Sequence, residues 1–204
     1  ENPAVIYSIY RDTDAKYVFF TTKNGTVMKT ALEEYVNTKK KTGIAAINLR
    51  EGDSLASVCL VKDEDMVLLT KNGMGIRFNS TDVGATSRAT IGIKGMNFKA
   101  DDEIVVAMPV RHKEDDLAIF SSVGTGKKFP VSELPTQNRG GKGLICHKVS
   151  AAAGNIAAAA LVSDGDSLLL CGDKTGICVQ ATEIPALGRA AVGNQLLKGN
   201  TLLS

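Results

Sequence analysis

Short apolar runs alternate along this chain with polar turns, and four of the runs align. YVFFTTKNGTVMKT (17–30), MVLLTKNGMGIRF (66–78), LAIFSSVGTGKKF (117–129) and SLLLCGDKTGICVQ (167–180) each read as an apolar run, a polar turn and a second strand-like run. Runs this short, punctuated by NG, GTG and GD turns, have the spacing of strands and not of helices. Only TALEEYV (30–36) has the pattern of a helical turn or two, and its counterparts FNSTDVG and FPVSELP do not share it. Lys29, Arg77, Lys128 and Val179 fall at one phase, 48, 51 and 51 residues apart. Gly43, Gly92, Gly143 and Gly193 keep step with them at intervals of 49, 51 and 50 residues. An acidic turn and another apolar run follow, as in EGDSLASVCLV (51–61) and ADDEIVVAMPV (100–110), with a longer AAGNIAAAALV (152–162) in the third repeat.

A unit near fifty residues carrying about four strands is the sequence signature of a β-propeller blade, which buries its faces against neighbouring blades. The expected fold is therefore all-β, a single domain over 1–204 with blade repeats near 14–62, 63–112, 113–163 and 164–204. Residues 3–12 match the closing strand of a preceding repeat, so the chain reads as a piece of a longer array. Residues 5–10 are expected either to pair with the open edge of the last blade or to hang free, an aggregation hazard for any unpaired strand.

Composition narrows the function classes. A hydrophobic content of 44% is that of a globular protein, and 20 glycines favour many tight turns. With 24 basic and 22 acidic residues the formal charge is only +2, so a basic surface has to come from segregation of sign. Cys59, Cys146, Cys171 and Cys178 form no CxxC pair and, with His147, lack zinc-ligand spacing; they read as small reduced hydrophobes of a cytosolic protein. No apolar stretch has membrane-spanning length, and no signal peptide is visible.

One stretch carries candidate chemistry. QNRGGKG (137–143) occupies a connection whose counterparts are NTKKKTG (37–43), TSRATIG (86–92) and LGRAAVG (187–193). Each has Lys or Arg shortly before the landmark glycine: Lys39, Lys40, Lys41, Arg88, Arg139, Lys142 and Arg189. A polar loop needing a flexible residue explains any one of them. Four in phase on a ring of repeats instead sum to one curved basic stripe, which Lys29, Arg77, Lys127 and Lys128 are expected to reinforce. Asp12, Asp14, Asp63, Glu64, Asp65, Glu114, Asp115, Asp116, Asp164 and Asp166 cluster before the first strand of each repeat, at a different edge.

QNRGGKG resembles the QRRGGKG box of the A subunit of bacterial type IIA topoisomerases at six of seven positions, with Asn138 in place of an arginine. The NG turns, the RxxxG loops and the ELPTQNRGGKG run extend the resemblance to the C-terminal β-pinwheel domain of DNA gyrase and topoisomerase IV over essentially the whole chain. The resemblance implies a propeller-like disc whose blades exchange strands and whose basic rim binds, bends and wraps double-stranded DNA, supporting supercoiling or decatenation. It implies two further partners, the N-terminal catalytic domain of the same subunit, together with the ATPase B subunit. It also implies a cytoplasmic, nucleoid-associated location, no cofactor and no membrane. The catalytic tyrosine and the ATPase site are implied to lie elsewhere, so none of Tyr7, Tyr10, Tyr17 and Tyr35 is assigned that role. The family's box usually lies in its first blade, whereas here it is in the third repeat. Carried over, the box falls on Gln137, Arg139, Gly140, Gly141, Lys142 and Gly143. The two central glycines would let backbone N–H groups face a phosphate that Arg139 and Lys142 neutralise. No base-reading helix is visible, so the contact is expected to be insensitive to sequence.

Two other classes compete. A WD40-like or RCC1-like propeller would be a protein-interaction scaffold, but the absence of Trp removes the Trp-Asp dipeptide and a scaffold has no general need of phase-locked basic loops. An intrinsic enzyme would need a base, and only His112 and His147 are of the residue type that could serve as a near-neutral one, with no nucleophile set beside them.

Overall fold

The computed structural model describes residues 14–37 and 42–197. Blade one begins with the hairpin β1 (Tyr17–Thr22) and β2 (Thr26–Ala31), a single helical turn α1 (Glu33–Val36) and β3 (Leu55–Val61). Blade two has β4 (Asp65–Thr70) and β5 (Met74–Asn79), followed by the short β6 (Ile93–Lys94) and by β7 (Ile104–Val110). The third repeat supplies β8 (Asp116–Ser121), β9 (Thr125–Pro130), β10 (Leu144–Ile145) and β11 (Ile156–Val162). The fourth supplies β12 (Ser167–Cys171), β13 (Gly176–Gln180) and β14 (Asn194–Gln195).

These strands form three antiparallel four-stranded sheets, β3-β1-β2-β6, β7-β4-β5-β10 and β11-β8-β9-β14, and a two-stranded sheet β12-β13. In every complete blade the outermost strand belongs to the following repeat: β6 pairs with β2, β10 with β5 and β14 with β9. The expected all-β blade architecture is observed, with three four-stranded blades among the described residues. The helical reading of 30–36 reduces to the one turn of α1. The closing strand read from residues 3–12 lies outside the described residues, as does the segment after Leu197.

The landmark glycine marks the exchange seam. Gly143 adopts φ +70, and a Cβ there would stand 2.2 Å from the carbonyl oxygen of Gly75 on β5. The exchanged strand comes this close only because position 143 has no side chain, and Gly92 and Gly193 press against β2 and β9 in the same way.

Burial accumulates between blades. Phe19 and Val27 of blade one pack with Met66, Leu68, Ile76 and Phe78 of blade two, the Phe19 and Phe78 rings 6.5 Å apart. Val67 and Leu69 meet Leu117, Ile119 and Phe129 at the next junction, and Ala118 and Phe120 meet Leu170 and Val179 at the third. Each fully buried Phe or Leu contributes about 1.5–3 kcal/mol by this removal from water. The outer face of blade one, Val18, Phe20 and Met28, is covered by Tyr35 and by Ala46 and Ile47. The opposite end differs: Leu169, which takes the place of the buried Phe19, Val67 and Ala118, is 71% exposed.

Candidate nucleic-acid interface

The cations expected at one phase are all buried. Lys29, Arg77 and Lys128 each sit third from the end of the second hairpin strand, on the face turned toward a neighbouring blade. Lys29 Nζ donates to the Ser80 carbonyl at 2.8 Å and lies 4.6 Å from the centre of the Tyr17 ring; burial pulls its pKa down. Arg77 donates through Nε to Asp65 Oδ2 at 2.8 Å and through Nη1 to the Val131 carbonyl at 3.3 Å. Ser80 and Val131 each open the 3-10 turn of the following blade, so these cations clamp one blade to the next. Lys128 Nζ lies 3.0 Å from Asp116 and 3.3 Å from Asp164, and its hydrogen bond to Asp116 raises its pKa. A long stem reaching a buried carbonyl or carboxylate leaves no free charge for a rim.

In the fourth repeat this position is Cys178 and not Val179. Four residues separate the paired Cys171 and Gly176, where five separate Leu69 and Gly75, so the shorter turn moves the phase by one. Val179 is a buried apolar residue instead, and Cys171 and Cys178 are exposed, unlike the buried Cys59 and Cys146. Lys127 is also displaced from the rim. It occupies the place of Met28 and Ile76, is 0% exposed, and donates from Nζ to the carbonyls of Gly188, at 3.1 Å, and Arg189. Desolvation lowers its pKa to about 8. The acidic edge is not separate from these cations, since Asp65, Asp116 and Asp164 are their partners and Glu64 approaches Arg111 at 3.9 Å.

The arginines of the exchange loops are half-buried and in register. Arg88 meets Glu34 at 3.5 Å, and Arg189 donates from Nη1 to the Ile145 carbonyl. Arg139 donates from Nη1 to the Lys94 carbonyl at 2.5 Å and from Nε to the Asp82 carbonyl at 3.3 Å. Its loop lies on the strand exchanged from the preceding repeat: Gly140 N donates to Gly95 O at 2.7 Å, and Asn97 N to Gly141 O at 2.9 Å. Gln137 N donates to the Arg77 carbonyl at 2.7 Å. The expected phosphate nest is therefore not free, because the Gly140 N–H is committed to Gly95 and the Gly141 N–H to Asn138 O at 3.4 Å. Gly140 is needed for its φ of +81, a left-handed conformation that Ala89 adopts at φ 55 in the preceding loop.

Sequence reasoning named Lys142 but missed Lys94 and Lys99, the charges that gather with it around this loop. Lys142, Lys94 and Lys99 are exposed and have no ion-pair partner among the described residues. Lys142 and Lys99 line a cavity of about 430 Å³ with Phe98, Met74, Asn97 and Asp101. Lys94 lies 5.8 Å from the centre of the Phe98 ring and donates to the Asn24 carbonyl at 3.4 Å. Strand exchange lays residues 94–97 against 139–141, and the linear spacing of one repeat does not display this. Lys39, Lys40 and Lys41 lie outside the described residues.

His147 is buried, with Nε2 3.1 Å from the Gly154 carbonyl and its pKa lowered by desolvation. It holds a turn. Among the described residues no group of three His, Cys, Asp or Glu side chains is placed to hold a metal, and no helix is long and apolar enough to cross a membrane.

The family model described as DNA gyrase C-terminal domain, beta-propeller, matches residues 16–61, 64–111 and 115–163, segments that follow the three four-stranded blades. The chain belongs to this family. It is 36% identical over 203 residues to the A subunit of DNA gyrase from Deinococcus deserti, covering 97% of this chain and 25% of that protein. It is 33% identical over 211 residues to the corresponding gyrase protein of Mycobacterium tuberculosis, covering 100% of this chain and 25% of that protein. The chain thus spans about a quarter of the length of these relatives. A crystal structure of the C-terminal domain of DNA topoisomerase IV superposes with a TM-score of 0.86 at 25% identity, covering 94% of this chain and 62% of that one. The structure of the DNA gyrase A C-terminal domain superposes with a TM-score of 0.82 at 31% identity, covering 94% and 65%. The exchanged strands β6 and β10 and the in-phase loops that carry Arg88 and Arg139 lie within the segments that the family model matches.

Proposed function

We propose that this chain binds, bends and wraps duplex DNA without reading its sequence, as the C-terminal domain of a type IIA topoisomerase A subunit. The observation that carries this reading is the unpaired cluster Lys94, Lys99 and Lys142 at one exchange seam of a gyrase-family blade array. Lysines free of carboxylate partners neutralise phosphates and release counterions, a contact indifferent to base identity. In this role the domain supports supercoiling or decatenation. Its protein partners are the catalytic domain of the same subunit, together with the ATPase subunit; bond cleavage and ATP hydrolysis take place outside it. The domain itself uses no cofactor, and its location is the cytoplasm, on the nucleoid.

Fluorescence anisotropy of a labelled linear duplex across a salt series, with end-to-end energy transfer on the same duplex, tests the reading. A steep negative log-log salt slope and a shortened end-to-end distance are expected. Absence of binding at low salt would reject it. Among the described residues a protein-contact reading is favoured at the fourth hairpin, where Leu169 is exposed on a face that the other blades bury.

A further inference from the structure

We infer that the phosphate anchor of the QNRGGKG seam is the cleft beside the loop, held by Lys99 and Lys142 with Lys94 at its margin, and that Arg139, Gly140 and Gly141 position this anchor without touching DNA. The inference rests on the DNA-binding reading above.

Three observations lead to it. Apart from Lys142, the groups that the motif was expected to offer a phosphate are already used: the Arg139 guanidinium holds the carbonyls of Asp82 and Lys94, and the Gly140 N–H holds Gly95. A guanidinium spent on two backbone carbonyls fixes the loop and with it the base of Lys142. Second, Lys99 and Lys142 come from different repeats yet border one cavity of about 430 Å³, and neither has an ion-pair partner among the described residues. Third, the neighbouring seams lack the set. The counterparts of Lys142 are Ile91 and Val192, both exposed aliphatics, and those of Lys94 are Ala45 and Ile145. The counterparts of Lys99 are Arg50 and Ser150. Three cations therefore meet at this seam, against Arg50 alone among these positions at the seam before it and none at the seam after it.

The cleft has an opposing charge that makes the assignment specific. Asp102 is occupied, its Oδ1 accepting the N–H groups of Asn72 and Glu103, each at 2.9 Å. Asp101 lines the same cavity, is exposed, and has no cationic partner among the described residues. A phosphodiester drawn to Lys99 and Lys142 is repelled by this carboxylate, so neutralising it should tighten binding. Such a gain would not be expected of the box glycines acting as ligands.

Anisotropy of a short labelled duplex across a salt series distinguishes the possibilities. Lys99→Ala and Lys142→Ala, both at exposed positions, should each flatten the log-log slope by about 0.9. Asp101→Asn should tighten binding severalfold. Arg139→Gln should lower the melting temperature while the slope at temperatures well below melting stays that of the wild type. An unchanged slope in Lys99→Ala, or a slope loss of about 0.9 in Arg139→Gln with unaltered melting, would overturn the cleft assignment. Failure of the unsubstituted protein to bind at low salt would instead overturn the DNA-binding reading and this inference with it. Wild-type binding that Lys99→Ala leaves intact would overturn the cleft alone.

Discussion

Lys127 and Lys128, adjacent on β9, are shifted in opposite directions because they face opposite sides of the blade. Lys127 is desolvated among carbonyls, with a pKa near 8, and Lys128 is held by Asp116 and Asp164 with its pKa raised. Between pH of about 8 and 10.5 the unfolded chain binds more protons at residue 127 than the folded one, so this residue makes stability rise with pH across that window. Urea midpoints of the wild type should climb relative to Lys127→Met over that range. Parallel curves would mean that Lys127 is not desolvated.

Lys128 carries the reverse sign. Its folded pKa lies above 10.5, so its contribution is full below that value and is lost as pH rises through the folded pKa. Lys128→Met should be less stable than the wild type at neutral pH, and the difference should shrink in strong alkali.

The cross-blade clamp at Lys29 predicts a defined loss. Lys29→Met keeps the stem but removes one of the two donors to the Ser80 carbonyl, which retains the Val83 N–H at 3.2 Å, and should cost about 0.5–1.5 kcal/mol in equilibrium unfolding. A change no larger than that of an ordinary surface substitution, within about 0.5 kcal/mol, would show that the clamp contributes nothing.

Two landmark glycines that look alike in the sequence should behave differently. Gly143→Ala places a Cβ 2.2 Å from the Gly75 carbonyl and should detach β10, whereas nothing lies within 4 Å of a Cβ at Gly43. Thermal melting should drop sharply for the first and stay within about 0.5 kcal/mol of wild type for the second. Equal effects would refute the close-approach explanation.

At the left-handed loop position, Gly140→Ala should destabilise by about 1–2 kcal/mol, and Ala89→Gly should be neutral or stabilising. Loss of stability in both would mean that φ does not decide the residue there.

The repeat was legible because each blade needs the same apolar hairpin and the same bare glycine at the seam, so Gly92, Gly143 and Gly193 recur in step. The function of the cations was not legible. Lys29, Arg77 and Arg139 look like rim charges in a linear string because their acceptors are backbone carbonyls about fifty residues away, and a carbonyl leaves no mark in a sequence. Lys127 sits at a core phase already visible in Met28 and Ile76, and that signal was sufficient to move it inside. The displacement from Val179 to Cys178 came from one residue fewer in a turn, which alignment by apolar runs does not register. The Lys94, Lys99 and Lys142 cluster was hidden because it is assembled from two repeats.

Strand exchange also sets an order for synthesis. The sheet begun by β1 and β2 is not finished until β6, at Ile93–Lys94, has left the ribosome, and the sheet begun by β4 and β5 waits for β10 at Leu144–Ile145. Each nascent blade therefore remains open while its successor is translated. A premature stop or a proteolytic cut between residues 130 and 143 would consequently injure blade two as well as blade three, passing damage backward along the chain.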